Sequence, residues 1–167
     1  SGQGTVGIEI AEQLEARKVR ADICVAPAGG GGLIAGTSLA LRELSRTTKT
    51  YAAEPEFFDD TARSLALGNP VSNDAGHKSI CDAIKITFGI NRLTLSGGLV
   101  VSDEETKAAM RAAFHYFKCV IEPGGAVALA ALLSGKLDVQ GKIAVAVASG
   151  GNVDPSLYSD ILRESDQ

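Results

Sequence analysis

The sequence predicts an α/β protein: a doubly wound, mostly parallel sheet with helices on both faces. Three observations carry that expectation. Short apolar runs bounded by turn residues alternate with segments of helical periodicity, the pattern of strand–helix–strand units. Four consecutive glycines, Gly29 to Gly32, stand at one such strand-to-helix junction. The 167 residues include 24 Ala and 19 Gly but no Trp, five Phe and three Tyr. Small residues let helices sit close on a sheet, so this composition favours layers over an all-β fold.

In chain order, Val6, Ile10 and Leu14 recur at a spacing of four and predict a helix over Thr5–Val19, with Thr5 as its cap. Ala21–Pro27 (ADICVAP) is a short apolar run, read as a buried strand. Leu33–Leu44 follows as a helix, then Thr50–Glu54 (TYAAE) as a strand stopped by Pro55. Asp59–Leu67 is a further helix, and Asp59 or Asp60 could cap it. Gly68 to Gly98 reads as irregular, with one helix over Ser79–Lys85. Leu99–Val101 is a strand, and Ser102 with Glu105 forms a capping box that opens a helix to about Lys118. Within it Met110, Phe114 and Phe117 fall at helical spacing and read as core. Cys119–Ile121 is a brief extended piece. Gly124–Ser134 is a helix ended by Gly135. Ile143–Ala148 (IAVAVA) is a strand, apolar enough to be buried on both faces. Asp154 caps a last helix with Pro155 at its first position. The whole chain, 1–167, reads as a single α/β domain.

Charge and composition exclude several classes. Sixteen Lys plus Arg against 20 Asp plus Glu leave a formal charge of −4, without the basic excess of a nucleic-acid surface. No apolar run approaches the roughly 20 residues of a membrane span. Residues 1–4 are polar and do not resemble a secretory signal. Cys24, Cys81 and Cys119 are odd in number and widely spaced, which fits reduced thiols in a cytoplasm rather than a disulfide framework or zinc site. His77 and His115 have no neighbours that suggest catalysis or metal binding.

Three features fall at strand ends, where open α/β sheets hold ligands. Ala28 to Leu33 joins a glycine run to a helix N-terminus. Converging amides without Cβ obstruction, plus the positive end of the helix dipole, make a phosphate cradle. The rival fingerprint Gly30-x-Gly32-x-x-Ala35, with Glu54 on the next strand, would imply NAD. Pro27 and the unbroken glycine block speak against it. Ser149-Gly150-Gly151-Asn152 ends a strand with a hydroxyl, and taken alone it reads first as an ordinary strand-ending turn. Glu54 to Asp60 packs acidic side chains densely enough to hold Mg²⁺ or Ca²⁺.

Six motifs then occur together in order: Gly2-Gln3-Gly4-Thr5, Pro27 to Leu33, Ala52-Ala53-Glu54-Pro55, Ile80-Cys81-Asp82-Ala83, Glu122-Pro123-Gly124-Gly125-Ala126, and Ser149 to Asp154. On these the chain resembles the C-terminal half of the fold-type II pyridoxal-phosphate enzymes, in the threonine/serine dehydratase and serine racemase group. The resemblance implies that Gly29, Gly30, Gly31, Gly32 and Leu33 hold the phosphate of pyridoxal 5'-phosphate. It implies that Ser149 meets the pyridine nitrogen as a neutral partner, which suits β-elimination. It implies a structural divalent-metal site of Glu54, the Phe58 carbonyl and Asp60. Glu122 matches an acidic residue near the cofactor and is the one catalytic candidate in the chain, with capping of the helix at Gly124 as the equal alternative.

The implied parent reaction is deamination of a β-hydroxy amino acid such as threonine or serine. The family's cofactor-linking lysine lies in a Ser-Phe-Lys segment toward the N-terminus. None of Lys18, Lys49, Lys78, Lys85, Lys107, Lys118, Lys136 or Lys142 has that context. The family's small substrate-binding domain has no counterpart either. Ala83–Phe88 is several residues shorter than the family pattern before Asn91. The chain alone is therefore expected to be inactive, to bind an anion at Gly29–Gly32, and to associate. Its expected partner is a second copy or the family's N-terminal half. The alternatives are a non-catalytic module that binds a phosphorylated ligand or only assembles with a partner, and an NAD-binding domain.

Overall fold

The computed structural model describes residues 2–73 and 84–164. Four parallel strands form one sheet: β1 (Ile23–Pro27), β2 (Lys49–Pro55), β3 (Gly97–Val101) and β4 (Ala144–Ala146), in the order β3-β2-β1-β4. β1 sits between β2 and β4, and all five of its residues are buried. Val25 pairs with Tyr51 on one side and Ala146 on the other. Pro55 does not stop β2. It occupies the last rung, opposite Val101, where a missing N–H does least harm.

The helices are α1 (Thr5–Ala16), α2 (Gly32–Leu44), α3 (Asp60–Leu67), α4 (Ile84–Thr94), α5 (Asp103–Ala112), α6 (Pro123–Leu133) and α7 (Pro155–Arg163). The period of two along β1 sorts its side chains between two cores. Ile23 and Val25 join Ala53, Leu99 and Val101 beneath α5, α6 and α7, where Met110, Ala126, Ala130 and Ile161 fill the layer. Ala26 joins Ala52 and Ile34 beneath α2 in a smaller cluster. Alanine on that face lets α2 lie close to the strands, the use anticipated for a small-residue composition. α1 and α4 pack on α2.

Several boundaries differ from expectation for physical reasons. Gly4, not Thr5, is the N-cap of α1, and the Thr5 hydroxyl donates to the Gly2 carbonyl at 3.0 Å. α4 fills much of the stretch expected to be irregular. Its β-branched residues and Gly89 are poor helix formers, and tertiary packing overrides them: Asn91 is buried and the Thr94 hydroxyl meets the Ser38 hydroxyl at 2.7 Å. The capping box at Ser102 and Glu105 is formed as expected. The helix it opens turns π-helical over Ala113–Phe117 and ends at a left-handed Lys118. That change of period turns Phe117 outward, 62% exposed, while Met110 remains fully buried. Cys119–Ile121 joins no strand. β4 keeps three rungs, and its residues are half-buried rather than covered on both faces. The helix expected over Ser79–Lys85 falls mostly outside the described residues, as do the Ile80–Ala83 motif and His77. Among the described residues, no helix is long and apolar enough to cross a membrane.

Candidate functional site

The strand order reverses between β1 and β4, because β2 and β3 extend the sheet one way and β4 the other. In an open parallel sheet, the carboxyl ends of the strands flanking such a reversal form a crevice. The Gly29–Gly32 loop leaves β1 at this crevice. Ser149 lies there too, two residues after Val147, whose amide still donates to the Val25 carbonyl at 2.9 Å.

The glycine loop is pinned at both ends. The Ala28 amide donates to Ala53 O at 2.9 Å, and Gly31 O accepts from Ala35 N at 3.0 Å. Gly31 is the N-cap of α2 at φ 76°, a left-handed conformation that favours glycine. Packing within the chain gives no reason for its neighbours: a Cβ built on Gly29, Gly30 or Gly32 meets nothing within 4 Å. The room these residues leave lies directly before the first amides of α2, which have no acceptor within the helix. A phosphate fits that room, that donor set and the positive end of the helix. Leu33, in the same first turn, is half-buried.

The Ser149 turn is seated on the start of α6. Gly125 approaches it so closely that a Cβ there would fall 1.8 Å from the Ser149 carbonyl oxygen. Gly150 turns at φ 82°, and its carbonyl accepts from the Glu122 amide at 3.1 Å. The Glu122 carboxylate covers Gly150, where a Cβ would fall 2.1 Å from Oε1. Glu122 is the N-cap residue of α6, but its side chain makes no capping hydrogen bond. A cavity of about 270 Å³ lies between the loop and α6, with Gly29, Gly124, Phe58 and Asp60 among its lining residues. Among the described residues lining it there is no lysine and no histidine.

The acidic stretch is organised differently from either simple expectation. Neither Asp59 nor Asp60 caps α3 through its side chain. Glu54 does so from the end of β2: Oε1 accepts from Thr61 N at 3.1 Å and Oε2 from Ala62 N at 2.8 Å. The carboxyl is fully buried, and desolvation pushes it up to about 7 against the opposing pull of these hydrogen bonds. Such a Glu54 cannot also meet a ribose at the surface, as the dinucleotide alternative requires. Asp59 pairs with Arg63 at 2.9 Å. Arg63 holds Asn73, and Asn73 donates to Asp60 Oδ1 at 2.9 Å. Asp60 Oδ2 is buried without a hydrogen-bond partner, the oxygen donor a hard cation takes. Among the described residues no three His, Cys, Asp or Glu side chains converge on one point, so a cation here needs the Phe58 carbonyl or water as well.

Sequence reasoning missed Gly125 and the amides of Thr61 and Ala62. The Gly124-Gly125 pair was the available signal for the first. A cap that reaches seven residues forward from a strand leaves no local pattern. His115 sits in the π-helical turn with its ring edge-on to Phe114 at 5.5 Å, away from this site.

Fold and site together define a doubly wound α/β fold with an open glycine loop before a helix N-terminus at the reversal point of its sheet. Comparison with known proteins carries the assignment further. Residues 1–150 match the sequence profile described as "Pyridoxal-phosphate dependent enzyme", and the chain belongs to that family. The cofactor of the family is pyridoxal 5'-phosphate. The chain is 37% identical to serine racemase of Dictyostelium discoideum over 98% of its length and 52% of that protein's. It is 36% identical to a beta-hydroxyaspartate dehydratase of Paracoccus denitrificans, over 92% of this chain and 49% of the relative. Among solved structures it superposes on a T.th. threonine deaminase with a TM-score of 0.81 at 38% identity, over 92% of this chain and 58% of that one. The chain thus spans about half the length of the curated relatives it matches.

Proposed function

We propose that this chain is the cofactor-holding part of a pyridoxal-phosphate-dependent lyase that removes water and then ammonia from a β-hydroxy amino acid. The observation that carries the reading is the placement of an open glycine cradle and a serine hydroxyl on the two strand ends that flank the sheet's reversal. Gly29 to Leu33 hold the phosphate through backbone amides and the start of α2. Ser149 faces the ring nitrogen as a neutral hydrogen-bonding partner. Such a partner leaves the nitrogen largely unprotonated, which suits β-elimination more than full stabilisation of a carbanion. When bound, the cofactor supplies the electron sink for loss of the α-proton. Threonine, serine and β-hydroxyaspartate, the amino acids in the names of the relatives, share the β-hydroxyl that leaves.

Asp60, the Phe58 carbonyl and Glu54 form a structural site for Mg²⁺ or Ca²⁺ beside the same cavity. The orphaned Asp60 Oδ2 supports it. The chain by itself does not turn over, because none of its lysines stands in the family's Ser-Phe-Lys context. The half-buried edge strand β4 supports association with a second copy or with the family's N-terminal half. The test is keto-acid release from each of the three amino acids in the presence of pyridoxal 5'-phosphate, with the chain alone. No release is expected, together with saturable cofactor binding. Release by the pure chain overturns the inactive-part reading. Failure of the cofactor to bind at millimolar concentration overturns the cradle.

A further inference from the structure

We propose that the first turn of α6 is a seat that sets the position of the Ser149 turn, with Glu122 and Gly125 as its positioning residues. The inference rests on the reading of Ser149 as partner of the cofactor ring. It assigns Glu122 a role through Gly150 instead of a direct part in the chemistry.

Three contacts define the seat, and two of them, at Gly125 and Gly150, exist only because a side chain is absent. Gly125 brings the α6 backbone against the Ser149 carbonyl, where even a methyl group would fall at 1.8 Å. Gly150, at φ 82°, leaves the space that the Glu122 carboxylate fills, and Gly151 passes the Val120 carbonyl, which a Cβ would meet at 3.0 Å. Hydrogen bonds lock the same residues. Glu122 N donates to Gly150 O at 3.1 Å, while Glu122 O accepts from Gly125 N and Ala126 N, both at 3.0 Å.

The Ser149 turn therefore has little freedom of its own. β4 ends three residues earlier and holds only three rungs, so the sheet fixes the turn weakly. α6 fixes it strongly, because α6 is itself anchored by buried Ala126, Val127, Ala128, Ala130 and Ala131. The backbone that carries the Ser149 hydroxyl is thus held by α6. Glu122 acts by shape: its carboxylate covers Gly150.

The test separates ring contact from phosphate contact. Binding of pyridoxal 5'-phosphate and of inorganic phosphate is titrated calorimetrically to the intact chain and to Ser149→Ala, Gly125→Ala, Glu122→Ala and Glu122→Gln. Loss of one hydrogen bond to the ring predicts roughly three- to ten-fold weaker binding of pyridoxal 5'-phosphate for Ser149→Ala. Gly125→Ala and Glu122→Ala should show a loss of the same kind, with phosphate binding unchanged in every variant. The double variant Gly125→Ala/Ser149→Ala should lose no more than Ser149→Ala alone, since both remove one contact. Glu122→Gln keeps the shape and should bind like the parent. If Ser149→Ala binds normally, the reading of Ser149 fails and takes the seat with it. If Ser149→Ala weakens binding while Gly125→Ala and Glu122→Ala do not, the seat alone is overturned. If Glu122→Gln behaves as Glu122→Ala, Glu122 acts through its charge, which also overturns the proposal. Should Gly125→Ala fail to fold by circular dichroism, the Glu122 pair decides.

Discussion

Gly98→Ala should loosen α3 and with it the buried Glu54. Gly98 lies on β3 beneath α3, and a Cβ there would fall 2.5 Å from both Cα and Cβ of Ala62. Backbone stands in the way, so no side-chain rotation relieves the clash. Ordinary contact begins near 3.4 Å, and α3 must therefore retreat by about 0.9 Å. Overpacking of this kind costs about 1–3 kcal/mol. The retreat also lengthens the 2.8 Å bond from Ala62 N to Glu54 Oε2, leaving a buried carboxylate oxygen undersatisfied. That adds a further cost of order 1 kcal/mol. The neighbouring Gly97→Ala is the control. Its Cβ would meet only the Tyr51 ring, at 3.5 Å, an ordinary contact, and replacing a strand glycine there should be neutral or stabilising. Urea unfolding of both variants beside the parent measures the difference. The expected result is a loss of about 2–4 kcal/mol for Gly98→Ala and none for Gly97→Ala. Equal stability of the two variants would refute the close approach of α3 to β3.

Other perturbations read different parts of the site. The Glu54 carboxyl, pushed by burial up to about 7 from 4.5, keeps its proton in the folded chain to higher pH than in the unfolded one. Stability should therefore be highest below about pH 4.5 for this group and fall as pH rises to about 7, by on the order of 3 kcal/mol. In the presence of chelator, Glu54→Gln should lose that slope in urea titrations at several pH values, and an unchanged slope would count against it. Mg²⁺ or Ca²⁺ at a hundred-fold excess over its Kd should stabilise the chain by about 2.7 kcal/mol and leave Asp60→Asn unaffected, read as a shift in Tm. A shift of equal size in both would remove Asp60 from the metal site. Sedimentation equilibrium should show self-association through the half-buried edge. A monomer across the accessible concentration range would contradict it.

Much of this fold is legible in the amino-acid sequence alone. Strong local signals survive folding: the Ser102/Glu105 box, the Asp154-Pro155 start of α7, and the burial of Ile23–Pro27 all need only neighbouring residues to be read. Signals that depend on a distant partner do not. Ile84–Thr94 has weak helix formers and becomes helical because α2 offers it a packing surface. Ala144–Ala146 looks as apolar as a central strand, and nothing in its composition tells that it stands at an edge. The same division holds at the site. The Gly29–Gly32 run announces itself, whereas the use of Glu54 as a cap seven residues away and the fit of Gly125 against Ser149 arise only when separate elements meet.

The central claim is that Gly29, Gly30 and Gly32 serve a ligand and not the chain's own packing. Gly30→Ala tests it most directly, because the added methyl meets no protein atom within 4 Å. The account predicts an unchanged Tm, with binding of pyridoxal 5'-phosphate and of inorganic phosphate weakened at least roughly ten-fold as the methyl enters the cradle and excludes the anion from its amides. Unchanged affinity for both, in a variant that folds normally, would contradict it.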